Sequence, residues 1–251
     1  MARDSILETT GLTKEFKGFI AVRDVNLKVR PQTIHALIGP NGAGKTTVFN
    51  LLTKFLSPTR GRIFYKGKDI TRDAPATIAA GGLVRSFQIS AVFPHLSVRE
   101  NVRVALQREL GTSFHFWRSE GTLEKLHDRA MELLDAVGIE DFSGMPAVEL
   151  PYGRKRALEI ATTLALEPEM LLLDEPMAGL AHDDIGRISG LIRKAARNRT
   201  VLMVEHNMDV VSDLSDTITV LQRGEILAEG PYRSVSRNPQ VIEAYVGTGH
   251  A

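Results

Sequence analysis

Ile34-His35-Ala36-Leu37-Ile38-Gly39-Pro40-Asn41-Gly42-Ala43-Gly44-Lys45-Thr46-Thr47 is the stretch that decides the fold. Its first five residues form a short apolar run, as in a buried strand. Its last eight before Thr47 fit G-x-x-x-x-G-K-[ST]. Glycines at 39, 42 and 44 let the backbone turn so that successive N–H groups point inward, towards phosphate oxygens. Downstream, Val48, Leu51, Leu52 and Phe55 fall at i, i+3, i+4 and i+7, one face of a helix whose N-terminus adds partial positive charge to the loop. Strand, glycine loop and helix together are the context the motif needs. A random match in a chain of this length has odds of about one in a hundred. Lys45 is expected to reach the β- and γ-phosphates and the Thr46 hydroxyl to ligate Mg²⁺.

Outward from the loop, the pattern is that of an α/β protein. Ile20–Val29 and Arg62–Lys66 mix β-branched with polar residues and are expected as strands. From Ser97 to Val137 the pattern turns helical, with an apolar stripe through Leu123, Leu126, Ala130, Leu133 or Leu134, and Val137, and Gly138 as the C-terminal stop. Met170–Leu173 and Thr200–Val204 are continuous apolar runs, expected of strands buried on both faces. The stripe Ile185, Ile188, Leu191, Ile192 and Ala195 between them completes a βαβ unit in a parallel sheet. Thr217–Leu227 is expected as a hairpin around Arg223-Gly224, and Asn238-Pro239 opens a last helix that Gly247 ends. At the end of the run Met170–Leu173 stand Asp174 and Glu175, the first placed to hold Mg²⁺ and the second to polarise a water.

Composition narrows the function. Against 31 Lys+Arg stand 30 Asp+Glu, a net charge of +1, which argues against a dedicated nucleic-acid binder. The absence of cysteine excludes disulfides, thiolate metal sites and cysteine nucleophiles. Apolar runs stay far below the roughly 20 residues of a spanning helix, and MARDSILETTGL lacks the apolar centre of a signal peptide. The chain is therefore expected to stay in the cytoplasm and to meet a membrane only through a partner. The aromatic cluster Ser113–Trp117 is weighed as a small core cap over a docking patch. Seven scattered histidines have no metal-ligand spacing.

Three further strings, in order, make the sequence resemble the ATP-binding cassette (ABC) family over essentially its full length. Gln88 in Val84-Arg85-Ser86-Phe87-Gln88 resembles the Q-loop glutamine. Leu150-Pro151-Tyr152-Gly153-Arg154 resembles the family signature, and His206 after Val201–Glu205 resembles the switch histidine. Phe16 holds the place of the aromatic that stacks on adenine, with Val22 near the base. Local strings, among them LPYGRKRALEIA, LLLDEPMAGL and NPQVIEAYVG, resemble the ATPase subunit of branched-chain amino-acid importers, and urea and amide importers share much of them.

The resemblance implies a P-loop ABC-ATPase fold: a mixed core sheet, an antiparallel β subdomain and a helical subdomain. It makes residues 1–251 one ABC ATPase domain, with 1–87 and 162–251 as the ATP-binding core and 88–161 as the helical signature subdomain. It implies an ATPase with ATP and Mg²⁺ as cofactors. Asn41, Gly42, Ala43, Gly44, Lys45, Thr46 and Thr47 would bind nucleotide, with Phe16 and Val22 at the base and Tyr152, Gly153 and Arg154 as the signature. Glu175, His206 and Gln88 would be catalytic, and Thr46, Gln88 and Asp174 would hold the metal. The implied partners are a second cassette, integral membrane permease subunits and, indirectly, a solute-binding protein. The implied location is the cytoplasmic face of the inner membrane. Two residues depart from the family pattern: Pro151 replaces the signature serine, and Ala181 stands where an Asp or Asn is usual. Slow or asymmetric hydrolysis in a homodimer is the expectation from these two. A soluble non-transport ABC ATPase is the competing class, and a GTPase or small-molecule kinase leaves the signature unexplained.

Overall fold

A computed structural model describes residues 4–86, 92–109 and 120–246. Along the chain run β1 (Leu7–Phe16), β2 (Phe19–Val25), β3 (Lys28–Val29), β4 (Ile34–Ile38), α1 (Lys45–Leu52), β5 (Arg60–Tyr65), β6 (Lys68–Asp69), α2 (Pro75–Ala80) and β7 (Leu83–Ser86). Next come α3 (Val98–Glu109), α4 (Glu120–Ala136), α5 (Tyr152–Leu164), β8 (Met170–Asp174), α6 (His182–Ala196) and β9 (Thr200–Val204). The chain closes with α7 (Met208–Leu214), β10 (Thr217–Gln222), β11 (Glu225–Gly230), α8 (Tyr232–Val235) and α9 (Pro239–Val246). Residues 1–83, 169–176 and 193–251 form one compact unit, and 84–168 with 177–192 form a second. Compared with the expected division at 88 and 161, the second unit reaches residue 168 and also takes in 177–192.

The first unit is built on two sheets. One has the order β11-β10-β4-β9-β8-β7, the chain leaving the unit along β7. Its β10–β4, β4–β9 and β9–β8 pairs are parallel and β11 closes it as an antiparallel hairpin, so the sheet is mixed. Every residue of β4, β8 and β9 is buried, which is why these strands are unbroken apolar runs in the sequence. The other sheet is antiparallel, in the order β2-β1-β5-β6, with β3 also paired to β1. The expected strand Ile20–Val29 is thus two short strands.

β1 itself escapes a periodicity reading. Gly11 interrupts its apolar alternation at φ 59°, and the pairing register shifts on both sides. Thr9 closes the irregular edge by donating to the Val25 carbonyl and accepting from the Leu27 N–H, both at 2.8 Å. Phe55 is a second correction. Helix α1 ends at Leu52, Lys54 turns left-handed at φ 62°, and Phe55 is carried out of the core to 54% exposure.

The second unit is helical. Ser97 and Glu100 form a capping box at the start of α3: the Ser97 N–H donates to the Glu100 carboxylate at 2.8 Å, and the Glu100 N–H donates to the Ser97 hydroxyl at 3.2 Å. The Ser97 hydroxyl, which donates to the same carboxylate at 2.7 Å, and then the Ser97 N–H hold the Glu100 carboxyl below the usual carboxylate range. Leu126, Ala130, Leu133, Leu134 and Val137 are buried as their spacing demands, and Gly138 ends α4 at φ 67°. Within α5 the pair Arg156–Glu159 is buried at 2.5 Å. The Ser113–Trp117 cluster lies outside the described residues.

Candidate active site

The loop after β4 has the shape its glycines predict. Gly39, Gly42 and Gly44 have φ of 150°, 78° and 103°. Two of them are also fixed by space: a Cβ on Gly39 would lie 2.2 Å from the Leu221 carbonyl oxygen, and one on Gly44 2.7 Å from that of Ala21. Lys45 opens α1 and is buried, its Nζ donating to the carbonyls of Gly39 at 2.6 Å and Pro40 at 3.1 Å. Burial pushes this ammonium below the ordinary lysine range, while the charges of Glu175 and then Asp174 act in the opposite direction. Asn41, Gly42 and Thr46 are exposed, Ala43 is buried, and Gly44 and Thr47 are half-buried.

The acidic pair stands at the carboxyl end of β8. Asp174 is the strand's last residue and is buried, whereas Glu175 leaves the strand at φ 45° with its N–H donating to the Val204 carbonyl at 2.9 Å. The twist separates two adjacent carboxylates: one lies in the sheet, the other is partly exposed. His206 follows β9 in a turn pinned by buried Glu205, which accepts from the N–H groups of His206 and Asn207 at 2.8 and 3.0 Å. The exposed His206 ring lies with Nδ1 3.7 Å from the Glu175 carboxylate. Lys45, Asp174, Glu175 and His206 are therefore brought together in one unit. Thr46 and Asp174 offer hard oxygen donors, a set that fits Mg²⁺ once phosphate oxygens join it. Among the described residues no group of three His, Cys, Asp or Glu side chains would hold a metal alone.

Phe16 is 42% exposed at the end of β1, with the Lys14 ammonium 5.0 Å from its ring centre. Val22 is fully buried, and its Cγ2 would be 3.5 Å from a Cβ on Gly44. It supports the loop as packing and presents no surface of its own. Gln88 lies outside the described residues.

The signature residues belong to the second unit. Pro151 is the N-cap of α5 and no side chain caps the helix. Tyr152 donates its hydroxyl to the Ala178 carbonyl at 3.0 Å, and Gly153 is buried. Arg154 is engaged elsewhere: its guanidinium donates to the Gly138 carbonyl at 2.6 Å and lies 5.3 Å from the Phe142 ring centre.

Residues 22–178 match the family described as "ABC transporter", well over half of the chain. The chain belongs to the ABC transporter family. Residues 225–251 of this cassette also match "Branched-chain amino acid ATP-binding cassette transporter". Among similar proteins are the high-affinity branched-chain amino acid transport ATP-binding protein BraF of Pseudomonas aeruginosa, 42% identical over 96% of this chain and 98% of its own. The high-affinity branched-chain amino acid transport ATP-binding protein LivG of Escherichia coli K12 is 40% identical over the same shares. The ADP conformation of MJ1267, an ATP-binding cassette of an ABC transporter, superposes with a TM-score of 0.85 at 29% identity, covering 96% of this chain and 98% of that one. The fold is the P-loop ABC-ATPase fold of those cassettes. Among the described residues no helix is long and apolar enough to cross a membrane.

Two features of the cassette escape the sequence motifs. A cavity of about 520 Å³ opens behind residues 40–43, walled by Gln222, Arg223 and, from α9, Gln240 and Glu243. Next to it burial pushes the Tyr245 hydroxyl up to about 12, against the lowering effect of a hydrogen bond from the Gly39 backbone. Asp184 is the other: its carboxylate lies directly on Gly153. No motif spacing singles out either residue.

Proposed function

We propose that this cassette is the ATP-binding and hydrolysing subunit of an importer for branched-chain or related amino acids. The observation that carries the ATPase reading is the buried Lys45 ammonium between its loop carbonyls and the Asp174 and Glu175 charges. The solute class is supported by the match of residues 225–251 and by the likeness to BraF and LivG.

The loop 39–46 and the α1 N-terminus bind the phosphates, and Lys45 exchanges its carbonyl partners for phosphate oxygens. The Phe16 ring takes the adenine by stacking. Thr46 and Asp174 hold Mg²⁺, directly or through water, with Gln88 as a further ligand. Held there, the ion would supply positive charge at the γ-phosphate. Glu175 accepts a proton from the attacking water, and His206 contacts the γ-phosphate and orients that water. The signature turn of a second cassette completes each site. ATP touches both cassettes only when they close, and hydrolysis removes the bridging γ-phosphate. About 5.5 kcal/mol of differential binding moves such an equilibrium from 1:99 to 99:1. The cassette acts at the cytoplasmic face of the membrane, bound to permease subunits.

The test is to tag the chain in its host, solubilise membranes gently and identify what co-purifies. Polytopic permease subunits are the expected result, and branched-chain amino acids should then bind their solute-binding component. Recovery of only ribosomal or other soluble partners would overturn the importer reading.

A further inference from the structure

Helix α5 runs for thirteen residues with no side-chain cap and no acidic residue in its first turn. A carboxylate nevertheless lies against its first turn. The Asp184 carboxylate lies so close to Gly153 that a Cβ there would be 2.2 Å from Oδ2 and 2.5 Å from Oδ1. Asp184 belongs to the first turn of α6, whose own N-terminus is the ordinary place for such a carboxylate. One turn further on, Arg187 Nη2 holds Asp184 Oδ1 at 2.7 Å. Arg187 grips with only half of its fork: Nη1 is buried with no hydrogen-bond partner among the described residues. The turn itself is braced, because the Tyr152 hydroxyl donates to the Ala178 carbonyl and its ring packs on Gly179, where a Cβ would be 3.3 Å from the ring carbons.

We infer that Asp184 is a built-in occupant of the anion place at the signature turn, and that Arg187 is the latch deciding how readily it leaves. The inference rests on the reading above, in which this turn receives the γ-phosphate of a nucleotide held by a second cassette. Two anions cannot share that place at ordinary cost. As the cassettes close, the Asp184 carboxylate swings off Gly153 into a two-armed grip on Arg187, using the idle Nη1. Both residues are positioning residues, since neither touches the nucleotide held in its own chain.

The test uses the full chain carrying Glu175→Gln, which retains ATP, and follows ATP-driven dimerisation by light scattering. Adding Asp184→Asn should lower the ATP concentration for half-maximal dimerisation by about 2- to 5-fold, the range of one charge at a helix N-terminus. Adding Arg187→Gln should raise it by a similar factor, and that rise should vanish when Asp184→Asn is also present. Nucleotide affinity of the monomer, read with a fluorescent ATP analogue, should not move in any of the three. A purely structural pair would instead weaken dimerisation in both single variants and lower their unfolding temperatures. That outcome overturns the inference, as does ATP binding without dimerisation at any protein concentration. Absence of nucleotide binding by the Glu175→Gln chain itself would overturn the ATPase reading instead.

Discussion

Two helix starts, α1 and α5, offer the same physics to an anion but are built in different ways. At α1 the backbone does the work: three left-handed glycines shape the loop, and two of them abut carbonyl oxygens that cannot move aside. At α5 the glycine is not among the residues with positive φ, and its missing side chain makes room only for the flexible carboxylate of Asp184. In α1 the internal partners are carbonyls that hold the cation Lys45; in α5 a side-chain anion, Asp184, lies against the first turn. The first start is a fixed cradle and the second an occupied seat. Rigid backbone keeps affinity high in every state, whereas a displaceable side chain makes affinity depend on state.

The sharpest way to break this comparison is to remove the chemistry from the cradle while leaving its shape. Glu175→Gln should keep ATP binding and lower hydrolysis by roughly 10²- to 10⁴-fold, measured as phosphate release at saturating ATP. Unchanged turnover would take the general-base role from Glu175.

A second test loads the strand that delivers the cradle. Burial, with Arg30 as a lesser cause, lowers the His35 pKa to about 4 from 6.5. The unfolded chain therefore takes up a proton first as pH falls. His35 contributes full stability above pH 6.5 and loses it between pH 6.5 and 4, by about 3 kcal/mol in all. Urea unfolding across that window should slope down in the wild type and much less in His35→Gln. Equal slopes would show that β4 is not the acid-sensitive element.

Removing the cradle's cation comes next. Lys45→Ala deletes a charge-assisted contact worth about 1.5–3 kcal/mol, so nucleotide affinity should fall roughly 10- to 100-fold by equilibrium binding. The smallest effect separates the two glycines directly. Gly44→Ala forces a left-handed alanine against a backbone oxygen and should cost about 1–3 kcal/mol of stability. Gly153→Ala needs only a shift of Asp184 and should cost less than about 1 kcal/mol, chiefly affecting dimer closure. Thermal unfolding of the two variants side by side decides it, and equal losses would end the distinction between cradle and seat.

Much of this was legible in the residues themselves. Buried parallel strands announce themselves as unbroken apolar runs, so β4, β8 and β9 fall where the sequence puts them. The antiparallel sheet does not, because Gly11 and the bonds made by Thr9 replace alternation with local hydrogen bonding. Phe55 misled because an apolar stripe says nothing about where a left-handed residue ends the helix. Val22, six residues beyond Phe16, is buried against the loop at Gly44, and Arg154 is engaged by Gly138 and Phe142.

By itself the sequence determined the phosphate loop, the acidic pair at the end of β8 and the order of the motifs, since these depend on residues joined by a few covalent bonds. Only the tertiary structure decided that Glu175 turns away from Asp174, that Lys45 rests on loop carbonyls, and that Asp184 sits on Gly153. Those facts depend on where distant segments meet, and no local spacing encodes which carboxylate will reach which helix end.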